Sequence, residues 1–248
     1  MSFTVPTDWR QLSPEQLRHV VRLMWLYGEA PDWQQRVGLA AFLYFCGIEV
    51  ARRTDHGWLC REQASGKSFI LATELLPSLL QSVDWVVRTD LMDVRIEQAG
   101  RYKAVDFELH TLPFGDYLLA ENYYQAFLIG KDTATLVSMA RILYGVPDGD
   151  DAPELCDEIL TGVFLWFTAA KNVLGKWFPH FLKPAGNGGT AISMESQQEN
   201  TQAQIRLLTK GDVTKQKYIL EQTDTWTALA ELDALAREAE EIQKKYGK

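Results

Sequence analysis

Residues 209–246, TKGDVTKQKYILEQTDTWTALAELDALAREAEEIQKKY, leave the chain few structural options. Trp226, Leu229, Leu232, Ala236, Ala239, Ile242 and Tyr246 advance by threes and fours, the spacing that lines one face of an α-helix. Asp224 or Thr225 starts this helix, and Gly211 separates an earlier helix from a shorter one over 215–222. Asp233 with Arg237, Glu240 with Lys244 and Glu241 with Lys245 place acid four residues before base. Such pairs stabilise an exposed helix by about 0.2–0.5 kcal/mol each. A stripe of this kind ordinarily packs on its own domain. The alternative is a partner-binding or self-associating helix, favoured by the thinning of the stripe to alanine after Leu232.

The chain upstream reads as a helical scaffold. In LSPEQLRHVVRLM, Ser13 caps a helix, Pro14 suits its first position and Gln16 completes a capping box. Leu17, Val20, Val21 and Met24 follow at helical spacing, and a second helix is expected over 33–48. From His56 the period changes: 58–62 and 68–71 are strands around the turn Ala64-Ser65-Gly66-Lys67. A helix over 73–87 follows, with Pro77 in its first turn. Residues 91–98 and 101–109 form either a second hairpin about Ala99-Gly100 or an extended loop. Helices return at 117–129, capped by Asp116, and after Asp132 or Thr133. The acidic loop 145–153 precedes the most apolar helix, 153–177, and a surface helix is expected over 194–208. The fold class is mainly α. A multi-helix globular domain covers 1–184, with small β-hairpin insertions at about 56–71 and 91–109. A Gly-rich linker at 185–192 leads to a C-terminal helical segment over 193–248.

Composition narrows the function. Hydrophobic residues make up 46% of the 248 and supply a real core. The apolar runs 39–48 and 163–170 fall short of the roughly 20 residues that span a bilayer, so no membrane partner is expected. The opening MSFTVPTDW has no basic start or apolar core, which predicts no signal peptide. Cys46, Cys60 and Cys156, an odd number without a CxxC, suit reduced thiols in a cytoplasm. Of the net charge of −8, residues 90–160 carry 14 acids and 5 bases, or −9, and the remainder +1. An acidic middle argues against a nucleic-acid groove there.

Motifs with chemistry are sparse. Gly66-Lys67-Ser68 resembles the end of a phosphate-binding loop, but Arg61 stands where the earlier glycine belongs and strands flank the trio. A hairpin turn is the better reading. Asp106, Glu108 and His110 alternate along DFELH and would share one face of a strand, suited to a divalent metal or to acid–base work. The plainer reading is an exposed polar face behind Val105, Phe107 and Leu109. His56 and Cys60 lack the second half of a zinc site, and Asp148, Asp150 and Asp151 lack the spacing of a calcium loop. A helix-turn-helix about Gly211 would need a basic recognition helix, whereas the terminal helix is rich in glutamate. No catalytic residue, metal or cofactor is expected.

Three segments together carry a resemblance: PTDWRQLSPEQLRHVVRLM, FGDYLLAENYYQAFLIGKDTATLVSMARILYG and GDVTKQKYILEQTDTWTALAELDALAREAEE. With Trp9, Leu12, Ser13, Glu15, Gln16 and Leu17 in the first, and Leu143 and Tyr144 closing the second, the chain resembles proteins of phage and prophage structural modules. It is more distantly similar to phage tail-assembly chaperones. The resemblance implies a non-enzymatic protein in the host cytoplasm that acts by protein–protein contact as a tail assembly factor or chaperone. Its partners would be the tape-measure or tail-tube protein, or a second copy of itself. The contact residues would be the stripe Trp226, Leu229, Leu232, Ala236, Ala239, Ile242 and Tyr246. A structural connector or tail-completion component of the virion is the alternative, followed by a metal-dependent enzyme built on Asp106, Glu108 and His110. The acidic loop and the Gly-rich stretch depart from the phage pattern.

Overall fold

The computed structural model describes residues 4–182 and 194–246. The protein is mainly α-helical, with a three-stranded and a two-stranded antiparallel sheet among the described residues. Contacts divide it into two units that are not consecutive segments: Met1–Ile96 with Asp157–Leu165, and Glu97–Cys156 with Trp166–Lys248. The Gly-rich stretch 185–192 lies outside the described residues.

The first unit opens on a 3₁₀ turn, Trp9–Gln11, and then α1, Pro14–Tyr27. The Ser13 hydroxyl accepts from the Gln16 N–H, and the Gln16 side chain accepts from the Ser13 N–H, so the capping box forms as the sequence predicts. Leu17, Val20, Val21 and Met24 are buried. Helix α2, Trp33–Phe45, is shorter than expected. Gly47 takes a left-handed φ of 60°, and Ile48 begins a strand instead of closing the helix. That strand, β1 (Ile48–Thr54), pairs with β2 (Gly57–Glu62), which pairs with β3 (Ser68–Ala72) in a meander. Ile48, Cys60 and Leu71 are buried, while Ile70 is exposed. At Gly57 a Cβ would lie 2.1 Å from the Leu71 carbonyl oxygen, so no other residue fits. Gly66-Lys67-Ser68 sits at the β2–β3 turn, with the Gly66 N–H donating to the Glu62 carbonyl.

The helix expected over 73–87 is broken. A 3₁₀ turn (Thr73–Leu75), α3 (Leu76–Ser82) and a second 3₁₀ turn (Asp84–Val87) replace it, and Val83, Trp85 and Val86 are its buried residues. Glu158, buried in the first turn of α6 (Asp157–Trp177), accepts from Arg22 at 2.8 Å. A buried carboxylate of this kind needs such a partner.

In the second unit the hairpin reduces to β4 (Gln98–Ala99) and β5 (Tyr102–Lys103). Helix α4, Phe114–Gly130, starts one turn earlier than predicted, so Asp116 lies inside its first turn and caps nothing. Lys131, not a glycine, takes the left-handed position after it. Asp132 caps α5 (Thr133–Leu143) through the Ala134 N–H. The acidic loop is tied down: Arg101 reaches both oxygens of Asp150, and Arg141 donates to the carbonyls of Pro147 and Asp150. Helix α7 (Met194–Thr209), α8 (Gln216–Gln222) and α9 (Thr225–Tyr246) complete the unit. Among the described residues, no helix is long and apolar enough to cross a membrane.

Candidate functional site

Helix α9 has a firmly built base. Asp224 caps it: one carboxylate oxygen accepts from the Thr227 N–H at 2.9 Å, the other from the Thr227 hydroxyl at 2.7 Å. Burial opposes the charge on Asp224, but these hydrogen bonds outweigh it and hold the carboxyl below its ordinary value. Thr225 is fully buried, and both its N–H and its hydroxyl donate to the Leu112 carbonyl, at 2.9 and 2.7 Å. The Phe114 N–H donates back to the Thr223 carbonyl at 2.9 Å. The start of α9 is thereby stitched to the segment that enters α4.

Trp226, first of the stripe, is half-buried in an aromatic nest. His110 stacks on it with ring centres 4.3 Å apart, Phe178 meets it edge-on at 5.2 Å and Trp177 lies at 5.8 Å. Its indole N–H donates to the Glu108 carbonyl. The DFELH segment supplying that carbonyl is not a strand. The backbone turns at Phe107 and Glu108, and Leu109 takes a φ of 64°. Asp106 holds the turn by accepting from the N–H groups of His110 and Thr111 and from the Thr111 hydroxyl. Burial disfavours its charge, yet those donors win and lower its carboxyl to about 2. The expected strand face is therefore replaced by a turn that brings His110 within 3.0 Å of Asp106 and 3.7 Å of Glu108. Both oxygens of Asp106 already serve as turn acceptors. Among the described residues, no group of three His, Cys, Asp or Glu is placed to hold a metal ion.

Further along α9, Leu229 and Leu232 are buried, with Ala228 beside them. Asp233 then accepts from the N–H groups of His180 and Phe181 at 2.8 and 3.0 Å, capping the loop that follows α6. Glu240 approaches the His180 ring at 3.2 Å. The three acid-before-base pairs expected on this helix do not close among the described residues; Asp233 and Glu240 turn to the His180 loop instead. Past that point the stripe leaves the core. Ala236 is half-buried, Ala239 is exposed, and Ile242 and Tyr246 are 60% and 72% exposed. The stripe is one face in sequence and two surfaces in space.

Sequence reasoning missed the partners of the base: His110, Trp177, Phe178 and the Asp233 cap. The signal available was the aromatic run Trp177-Phe178 followed by Pro179-His180 directly after a long apolar helix. His19 stacks on Tyr44 with ring centres 3.7 Å apart.

No protein-family model, no curated protein and no solved structure matches the chain. Nothing in these comparisons bears on the resemblance to phage structural-module proteins, which rests only on the residues quoted for it. Those are largely folding devices here: Trp9 and Leu17 are buried, Ser13 and Gln16 form a cap, and Leu143 and Tyr144 are buried at the end of α5.

Proposed function

We propose that this protein works by protein–protein contact, and that the last two turns of α9 are the contact surface. The observation that carries the reading is the exposure of Ile242 and Tyr246 on a helix whose base is fixed by Asp224, Thr225, Leu229, Leu232 and Asp233. Large apolar side chains scattered singly on a surface are ordinary. These two are different in that they stand at i,i+4 on a pre-ordered helix, continuing a stripe already used for packing. A helix held ready in this way loses little conformational freedom on binding, which favours its use as an anchor.

The resemblance at Trp9, Leu12, Ser13, Glu15, Gln16 and Leu17 directs this reading to the phage or prophage tail module, as an assembly factor or chaperone. The partner is then the tape-measure or tail-tube protein. Co-expression with each of these, followed by affinity capture, tests the reading. Capture of one of them, weakened at least about tenfold by Ile242→Asp with Tyr246→Asp, supports it. Capture of neither protein, or capture indifferent to both substitutions, removes it.

A further inference from the structure

The second unit also holds a groove of about 490 Å³ walled by α4, α7 and α8. It exists because α8 crosses α4 against bare backbone: a Cβ on Gly115 would sit 2.8 Å from the Leu220 carbonyl oxygen. Leu118, Ile205 and Leu220 give it apolar walls, and Leu119 stands half-exposed among them. Among its described lining residues the ionisable ones are both acidic, Asp116 and Glu221. Glu221 has a loose contact with Lys217 at 3.9 Å. Among the described residues, the Asp116 side chain has no hydrogen-bond or ion-pair partner. Burial raises its carboxyl above the ordinary value, as expected of a carboxylate with no cation beside it.

The end of α9 carries the complement. Ile242 and Tyr246 share a face at i,i+4, Lys245 lies three residues from Ile242 on the same side, and Lys244 adds a second positive charge. We propose that the groove between α4, α7 and α8 receives the last turns of α9 from a second copy of this chain, with Ile242 and Tyr246 on its apolar walls and Lys245 against Asp116. The inference rests on the reading of that helix end as a contact surface, and names its receptor. Reciprocal exchange closes a twofold dimer, whereas one-way insertion builds a chain of copies. Two helical turns bury much less than the roughly 800 Å² per partner of a standard stable interface, so the association is weak and concentration-dependent.

Sedimentation equilibrium of the full chain from about 10 to about 500 μM, a range that brackets weak association, tests this. The weight-average mass is expected to rise above the monomer with concentration. Lys245→Glu is expected to weaken association about tenfold, and adding Asp116→Lys to restore it. Leu119→Arg, on the groove rim, gives a second disruption that does not depend on Asp116→Lys folding. A wild type that stays monomeric throughout overturns the proposal, as does association unchanged by both Lys245→Glu and Leu119→Arg. A monomer that still captures a tail protein through Ile242 and Tyr246 ends this inference and leaves the contact reading standing. An oligomer sensitive to Lys245→Glu that captures no tail protein supports the inference and removes the tail assignment.

Discussion

The two halves of α9 share a periodicity and differ in what it is used for. From Thr225 to Leu232 the helix is built into the core: a buried threonine, two buried leucines and a tryptophan wrapped by His110, Trp177 and Phe178. From Ala239 to Tyr246 the same spacing faces outward. The boundary is set by polar side chains. Asp233 and Glu240 bind the loop at His180, and beyond Glu240 the helix runs on for roughly 9 Å at 1.5 Å per residue. Amphipathic periodicity therefore fixes which residues share a face, while the length of the supporting scaffold decides how many of them are core.

The contrast is sharpest in stability. Leu229→Ala is expected to cost about 2–5 kcal/mol in urea or guanidinium unfolding, because it opens a cavity under a fully buried side chain. A loss below 1 kcal/mol would break the claim that the first half is core.

Next comes the turn beneath Trp226. The Asp106 carboxyl sits at about 2 in the folded protein against an ordinary 3.8. The folded state thus binds its proton less readily than the unfolded state, and the resulting stability is present above about pH 4. It is lost as pH falls through about 2. Discounted for partial exposure, the loss is about 1–2 kcal/mol. Asp106→Asn should flatten this acid limb in a pH series of unfolding midpoints, and an unchanged limb would assign the acid sensitivity elsewhere.

The boundary itself is testable with Asp233→Ala. It strips acceptors from the His180 and Phe181 N–H groups and should cost about 1 kcal/mol, with faster amide exchange at those two positions. The smallest effect belongs to Ile242→Ala, which should change stability by no more than about 0.5 kcal/mol. A larger loss would mean that the outer half packs against its own chain.

Much of the fold was legible because its signals are local. The capping box of Ser13 and Gln16, the turn at Gly66 and the helical stripe of α9 each lie within a few residues of the structure they specify. Strand β1 was not, because Ile48 continues the apolar run of α2 and pairing with β2 is decided by contacts made later in the chain. DFELH alternates as a strand would, yet the Asp106 side chain supplies hydrogen bonds that hold a turn, and Trp226, far along the sequence, binds the Glu108 carbonyl. The acid–base pairs on α9 illustrate the same limit: local spacing allows them, and the loop at His180 recruits Asp233 and Glu240 instead. The groove of Asp116 leaves no trace in sequence, since its walls come from three helices brought together where Gly115 meets Leu220.

Removal of residues 241–248 tests the central claim most directly, since it deletes Ile242 and Tyr246 and retains Glu240 with everything that anchors α9. The truncated chain should unfold within about 0.5 kcal/mol of the full one and lose both self-association and capture by a tail protein. A truncated chain that fails to fold, or one that folds and associates as before, would contradict the division of α9 into a structural half and a contact half.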